Sequence, residues 1–219
     1  MRTIAVIALK GGSGKTTVAT HIAIAADMRG MRTLVADTDP QRSAAEVFNA
    51  RNRDGPKCVR VSGSGLFAAK IAAVGEGFDA MVIDTAAGAV EDVGQAIALS
   101  DLCLLVVRPT LLDLAALVRT VEVVRRVKKP ALVVVNQAPV ARGGSEAPIV
   151  KRALRALDYM RLTTAPTLLR SRIIYQTALE TGRSVEEAGD SAAAGEIGAL
   201  WEAVVGFAVE EDEAAVGAG

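Results

Sequence analysis

Five short, nearly uninterrupted apolar runs limit what this chain can fold into. Thr3–Leu9, Thr33–Asp37, Ala80–Asp84, Leu102–Val107 and Ala131–Val135 are five to seven residues long and rich in Val, Ile and Leu. A strand with one wet face would alternate apolar and polar residues; these do not, so both faces are expected to be buried. A sixth run, Thr163–Leu168, has the same character. Between the runs lie stretches with helical spacing or composition: Thr16–Arg29, Ser43–Arg53, Leu66–Val74, Val90–Leu99, Leu111–Val127 and Ile149–Leu157. Strand–helix alternation calls for right-handed crossovers, which give a mostly parallel sheet with helices on both faces, a three-layer α/β fold. A last helix over Ala192–Val209 sets Ile197, Leu200, Trp201, Val204, Val205 and Ala208 on one core-facing stripe. Aromatic residues are only 3% of the chain, so the core must be aliphatic.

The 219 residues fit one domain over 1–208, followed by an acidic tail at 209–219 that contains Glu210, Glu211, Asp212 and Glu213 and is expected to be disordered. No apolar run reaches the roughly 18 residues of a membrane span. Met1-Arg2-Thr3-Ile4 leads straight into the first strand, so no signal peptide is expected. Cys58 and Cys103 lack metal-ligand spacing and read as ordinary reduced thiols. His21 carries no assigned role.

In open α/β sheets ligands bind beyond the carboxyl ends of the strands, and the distinctive residues of this chain lie there. After the first strand comes Lys10-Gly11-Gly12-Ser13-Gly14-Lys15-Thr16-Thr17, opening a helix. Glycines let the backbone curl so that successive N–H groups face phosphate oxygens, and the positive end of the helix adds to that attraction. Lys15 is suited to the β- and γ-phosphates and the Thr16 hydroxyl to Mg²⁺. The second strand ends in Asp37-Thr38-Asp39-Pro40-Gln41, with two carboxylates on one face. Met81-Val82-Ile83-Asp84 is an apolar strand ending in an acid suited to a metal or its waters. Asn136 follows the fifth run and offers a donor and an acceptor to an adenine edge; without an N-K-x-D pattern, ATP is favoured over GTP.

Leu9 stands where the general phosphate-loop pattern has its first glycine, and Lys10 follows it. This Lys-Gly-Gly-Ser-Gly-Lys-Thr-Thr resembles the deviant Walker A of the ParA/MinD family of ATPases, and Asp37-Thr38-Asp39-Pro40-Gln41 resembles that family's first switch. The likeness extends to Val107-Arg108-Pro109-Thr110 with Asp113-Leu114, to Arg170–Tyr175, and to Gly189–Ile197, where it is to the short plasmid-partition ParA proteins. It implies a P-loop NTPase fold and a weak ATPase using ATP/ADP and Mg²⁺. It also implies that Lys10 reaches the nucleotide of a partner in an ATP-dependent homodimer, that Asp39 positions or activates water, and that Asp37 and Asp84 serve the metal with Thr16. Thr85-Ala86-Ala87-Gly88 departs from the family, many of whose members have a proline soon after the acid. No helix-turn-helix precedes the first strand, so the short form, without operator binding, is expected.

The family binds DNA without sequence preference, and a ParB-like centromere-binding or adaptor protein triggers hydrolysis. The expected role is segregation or positioning of plasmid or chromosome DNA, in a cytoplasmic, nucleoid-associated setting. Between Arg108 and Arg183 there are 14 Lys and Arg against 5 Asp and Glu. This bias suits phosphate contact, with Lys151, Arg152, Arg155, Arg161, Arg170 and Arg172 as the candidates. The alternative cargo is a protein assembly such as a chemotaxis cluster. A MinD-like membrane cycle fits less well, because no Lys or Arg follows Arg183 to meet anionic lipid. A cluster-binding relative of the nitrogenase iron protein would need cysteines bridging two subunits, and Cys103 lies inside an apolar strand.

Overall fold

The computed structural model describes the backbone of residues 1–88 and 90–217 and the side chains of residues 1–88 and 93–207. Six strands form the sheet: β1 (Arg2–Ile7), β2 (Thr33–Asp37), β3 (Lys57–Arg60), β4 (Ala80–Asp84), β5 (Leu102–Val107) and β6 (Ala131–Val135). Their order is β3-β2-β4-β1-β5-β6, and every pairing is parallel. The helices are α1 (Lys15–Met28), α2 (Ser43–Ala50), α3 (Leu66–Gly75), α4 (Val90–Leu99), α5 (Leu111–Arg126), α6 (Pro148–Tyr159), α7 (Ile174–Thr177), α8 (Val185–Ala188) and α9 (Ser191–Gly217).

Two cores follow from the two faces of the sheet. Ile4, Val6, Val35, Val82, Leu104 and Val134 pack against α1 and, on α9, against Ile197, Leu200, Trp201 and Val204. Ala5, Ile7, Met81, Ile83, Leu105 and Val133 pack on the other side against residues of α4, α5 and α6. Alternation along each strand thus feeds two apolar layers, and the expected P-loop-type three-layer α/β architecture is present. Val205 of the expected α9 stripe is half-buried and packs against the first core, while Ala208 and the side chains of the acidic tail lie outside the described residues.

The strand order reverses beside β1: the chain leaves β1 for β2 on one side and later places β5 and β6 on the other. A crevice opens above such a point, and the loop from β1 to α1 fills it. Register brings Asp37 opposite Asp84 across the β2–β4 pair and Val6 opposite Asp84 across β1–β4.

Two expectations need correction. The segment Thr163–Leu168 forms no strand, although it runs beside β6. Ala165 N–H donates to Val133 O, but the next donor to β6 is Leu169 N–H, to Val135 O, four residues on where a continuous ladder needs two, so the pairing breaks after a single bridge. The sixth strand is instead β3, on the opposite edge of the sheet. Its Lys57-Cys58-Val59-Arg60 is short and half-exposed, without the apolar signature of a doubly buried strand. Boundaries also shift: β1 stops at Ile7 rather than Leu9, α2 stops at Ala50, and α9 continues to Gly217.

Candidate nucleotide-binding site

The loop between β1 and α1 is held from beneath. Asn136 Nδ2 donates to Ser13 O at 2.8 Å, and Gln137 Nε2 to Gly12 O at 3.1 Å, both from the carboxyl end of β6. Gly14 has φ 89°, and a side chain there would overlap the Asn136 amide, so glycine is required on two counts. Asn136 is 5% exposed and spends its amide nitrogen on the loop. Its amide nitrogen thus sits under the phosphate loop. Gln137 is a loop brace that the sequence reading missed.

Lys15, Thr16 and the strand-end acids converge. Thr16 Oγ1 donates to Asp84 Oδ2 at 2.7 Å. Asp84 is fully buried, its Oδ1 has no hydrogen-bond partner, and burial pushes its carboxyl up to about 7 against the help of the Thr16 hydroxyl. Burial also lowers the Lys15 ammonium below its ordinary value, while Asp84 and Asp39 pull it back up. Asp37 Oδ1 accepts from Asp39 N–H at 3.0 Å and Oδ2 from Ala45 N–H, in the first turn of α2, at 2.9 Å. Burial is the main reason that the Asp37 carboxyl lies above its usual range, and the backbone donors oppose it. Asp39 is half-exposed, and its Oδ1 accepts from Gln41 N–H at 2.9 Å. One strand end therefore holds a carboxylate with a backbone donor on each oxygen, Asp37, and the next a carboxylate, Asp84, with one oxygen that has no donor.

Lys10 lies on the outer side of the loop. Its Nζ donates to Asp113 Oδ2 at 3.1 Å, and Arg108 Nε donates to Asp113 Oδ1 at 2.9 Å. Thr110 caps α5 by accepting from Asp113 N–H, and its hydroxyl donates back to the Asp113 carboxylate.

A glycine-rich loop at a helix start, a buried lysine and converging acids make a nucleotide-phosphate cradle, and the family model that matches residues 4–167 is the CobQ/CobB/MinD/ParA nucleotide binding domain. The chain belongs to this family. Apo McdA of Cyanothece superposes with a TM-score of 0.78 at 19% identity, over 93% of this chain and 99% of McdA. A plasmid partition protein of Borrelia burgdorferi B31 bound to AMPPNP gives 0.74 at 16% identity, over 93% and 98% of the two chains. A protein named replication protein A in Rhizobium rhizogenes is 47% identical over 51 residues, which are 23% of this chain and only 13% of that protein's length.

Within this ParA/MinD-type frame, the structure sorts the basic candidates into two sets. Arg170 forms a bidentate pair with Glu146 at 2.6 and 2.7 Å, and Arg172 pairs with Glu196 at 2.9 Å. Lys151, Arg152 and Arg155 are exposed on α6, and Arg161 is exposed just beyond its end. Lys151 Nζ donates to Ser145 Oγ at 2.6 Å. The cluster of Arg108, Thr110 and Asp113 lies in a segment whose family likeness the sequence showed without giving these residues a role; Thr-x-x-Asp before an apolar run is a helix-start signature.

Proposed function

We propose that the chain is an ATP-hydrolysing partition protein that forms an ATP-dependent homodimer, binds DNA without sequence preference and is stimulated by a ParB-like partner. The observation that carries the enzymatic part is Lys15, buried between Asp84 and Asp39 at the mouth of a braced glycine loop. A buried ammonium beside a carboxylate with an empty acceptor site is an arrangement that a Mg²⁺-bound polyphosphate completes.

The residues fit a divalent ion. Asp84 Oδ1 is buried without a partner, and the Thr16 hydroxyl, in the first turn of α1, sits at the other oxygen of the same carboxylate. Asp37, with both oxygens bonded to backbone, suits a place behind a metal-bound water. A divalent ion held by Thr16 and Asp84 would supply charge neutralisation to a bound polyphosphate. Lys15 and the loop N–H groups would hold the phosphates in line. Asp39 is half-exposed, and Gln41 N–H engages only its Oδ1, which leaves Oδ2 to orient a water for attack. Lys10 would add a cation to the nucleotide of the second subunit, as an arginine finger does elsewhere.

DNA contact is assigned to Lys151, Arg152, Arg155 and Arg161, with Arg170 and Arg172 secondary because each already has a carboxylate. Dimerisation doubles such contacts, so the nucleotide state sets DNA affinity by avidity. The test is binding to random duplex DNA with ATP and with ADP at two salt concentrations. Lys15→Ala should lose nucleotide binding by about 100-fold and with it ATP-dependent DNA binding. Asp39→Ala should keep ATP-dependent DNA binding and lose turnover. Equal DNA binding with ATP and ADP, insensitive to salt, would remove the proposal, and normal hydrolysis by Asp39→Ala would remove the assigned role of Asp39.

A further inference from the structure

Among the described residues, one charge cluster at the phosphate end closes on itself. The Asp113 carboxylate, on the first turn of α5, has a side chain only 2% exposed and receives donors from three residues. Arg108 gives two N–H groups, at 2.9 and 3.3 Å, and Thr110 gives its hydroxyl. These two residues adjoin Asp113 in sequence. Lys10 is the outsider, reaching over from the phosphate loop with a single contact at 3.1 Å and a side chain still 36% exposed. Two cations thus share one carboxylate.

We infer that Asp113 is a positioning residue for Lys10: in the single chain it parks the ammonium against α5, and it can release that ammonium to a nucleotide on a second copy because Arg108 stays behind. The inference rests on the proposed role of Lys10 toward a second subunit. Stripping a buried carboxylate of its only cation is strongly unfavourable, so a lysine that was the sole partner would be locked in place. Asp113 avoids this. When Lys10 leaves, the bidentate Arg108 and the Thr110 hydroxyl still satisfy both oxygens. The contact that breaks is the single, partly exposed one, worth only a few-fold in an equilibrium. A polyphosphate offers more negative charge than a carboxylate already shared with an arginine, so Lys10 transfers when a second nucleotide-loaded copy docks. Until then the ammonium is held off its own phosphate loop.

The test uses the full chain and four forms: the parent, Asp113→Asn, Asp113→Glu and Arg108→Ala. Lys10 reactivity toward an acetylating reagent is read by mass spectrometry without nucleotide, and dimerisation with AMPPNP is read by sedimentation. Asp113→Asn should label Lys10 about 3-fold faster. It should also dimerise at roughly tenfold lower protein concentration, since two contacts open per dimer. Arg108→Ala leaves Lys10 as the only cation on Asp113, so its labelling should slow and its dimerisation weaken. Asp113→Glu should behave as the parent. Opposite shifts in Asp113→Asn and Arg108→Ala are the signature, because simple loosening of α5 would move both the same way. A shift in the same direction, or parental Lys10 labelling in Asp113→Asn, overturns the inference. Should Asp113→Asn fail to fold, Arg108→Ala decides alone: slower labelling supports it and unchanged or faster labelling refutes it. If the parent itself does not dimerise with AMPPNP, the proposed function fails while the labelling still decides the parking.

Discussion

Two carboxylates of this chain are almost equally hidden from water and live under opposite rules. Glu187, in α8, has a side chain 4% exposed and takes both terminal nitrogens of Arg51 at 2.7 and 2.9 Å, together with Ser184 N–H at 2.9 Å. Burial works against its ionised form, but the Arg51 and Ser184 hydrogen bonds overcome it, and its carboxyl lies below the usual range. Asp84 is buried with one hydroxyl donor, one unpartnered oxygen and a carboxyl pushed up to about 7. The first arrangement closes on itself and ties the end of α2 to α8. The second is complete only when something else arrives. Buried charge that satisfies itself marks architecture, and buried charge left open marks a binding site.

The sharpest way to break this contrast is to remove each carboxylate in turn, without nucleotide or divalent ion, at pH 8. Glu187→Ala leaves Arg51 buried and unpaired and should lower the unfolding free energy by about 3–5 kcal/mol. Asp84→Asn should lower it by nothing, or raise it by roughly 1 kcal/mol, because it removes a charge that the apo fold holds at a cost. Denaturant unfolding reads both. A large loss of stability in Asp84→Asn would erase the distinction between the two regions.

A weaker effect separates them by pH. His21 is fully buried on α1, with Nδ1–H donating to Thr17 O at 2.8 Å and the edge of its ring against Tyr175 at 5.3 Å between centroids. Its Nε2 has no hydrogen-bond partner, and burial lowers its pKa from 6.5 to about 4. Between these values the unfolded chain takes up a proton that the folded chain refuses. Stability contributed by His21 is therefore intact above pH 6.5 and falls by up to about 3 kcal/mol as pH drops toward 4. Asp84 works the other way: its folded pKa near 7 lies above the ordinary 3.8, so over that window the folded chain is the one that holds the proton. The two terms oppose each other in the parent. Unfolding of Asp84→Asn measured from pH 7 to pH 4.5 should show the histidine slope uncovered, steeper than in the parent. An equal or shallower slope would mean that one of the two groups is not buried as described.

Much of the phosphate end was readable in advance because it is local. Lys10 through Thr17 is a continuous segment, and Asp37 and Asp84 each terminate an apolar run, so their meeting follows from adjacent strands in one register. What could not be read depends on distant chain. Lys10 and Asp113 are 103 residues apart, and Glu146 and Arg170 are 24 apart across a loop and a broken ladder. The β3 edge strand has too little apolar surface to announce itself. The Thr163–Leu168 segment has the apolar content of a strand, but it meets β6 at one bridge before its donors fall out of step. Asn136 was picked out by position, yet its amide braces the loop, a role that only the folded geometry assigns.

The smallest expected effects concern the basic surface, where paired and unpaired arginines divide as the two carboxylates do. Arg170 is matched to Glu146, with side chains 16% and 26% exposed, so its guanidinium has already found an anion. Arg152 and Arg155 are exposed on α6 and enter no ion pair among the described residues. Arg170→Ala should therefore cost about 1 kcal/mol of stability and leave the salt dependence of the proposed DNA binding nearly unchanged. Arg152→Ala and Arg155→Ala should leave stability within about 0.5 kcal/mol of the parent. Each that contacts a phosphate should lower the slope of log affinity against log salt by about 0.9. A guanidinium already neutralised by its own chain releases few counterions when it meets DNA, whereas a solvated one releases its share in full. If Arg170→Ala flattened the salt dependence as strongly as the α6 variants, the Glu146 pair would be a contact that DNA displaces, and paired charge would no longer mark architecture in this part of the molecule.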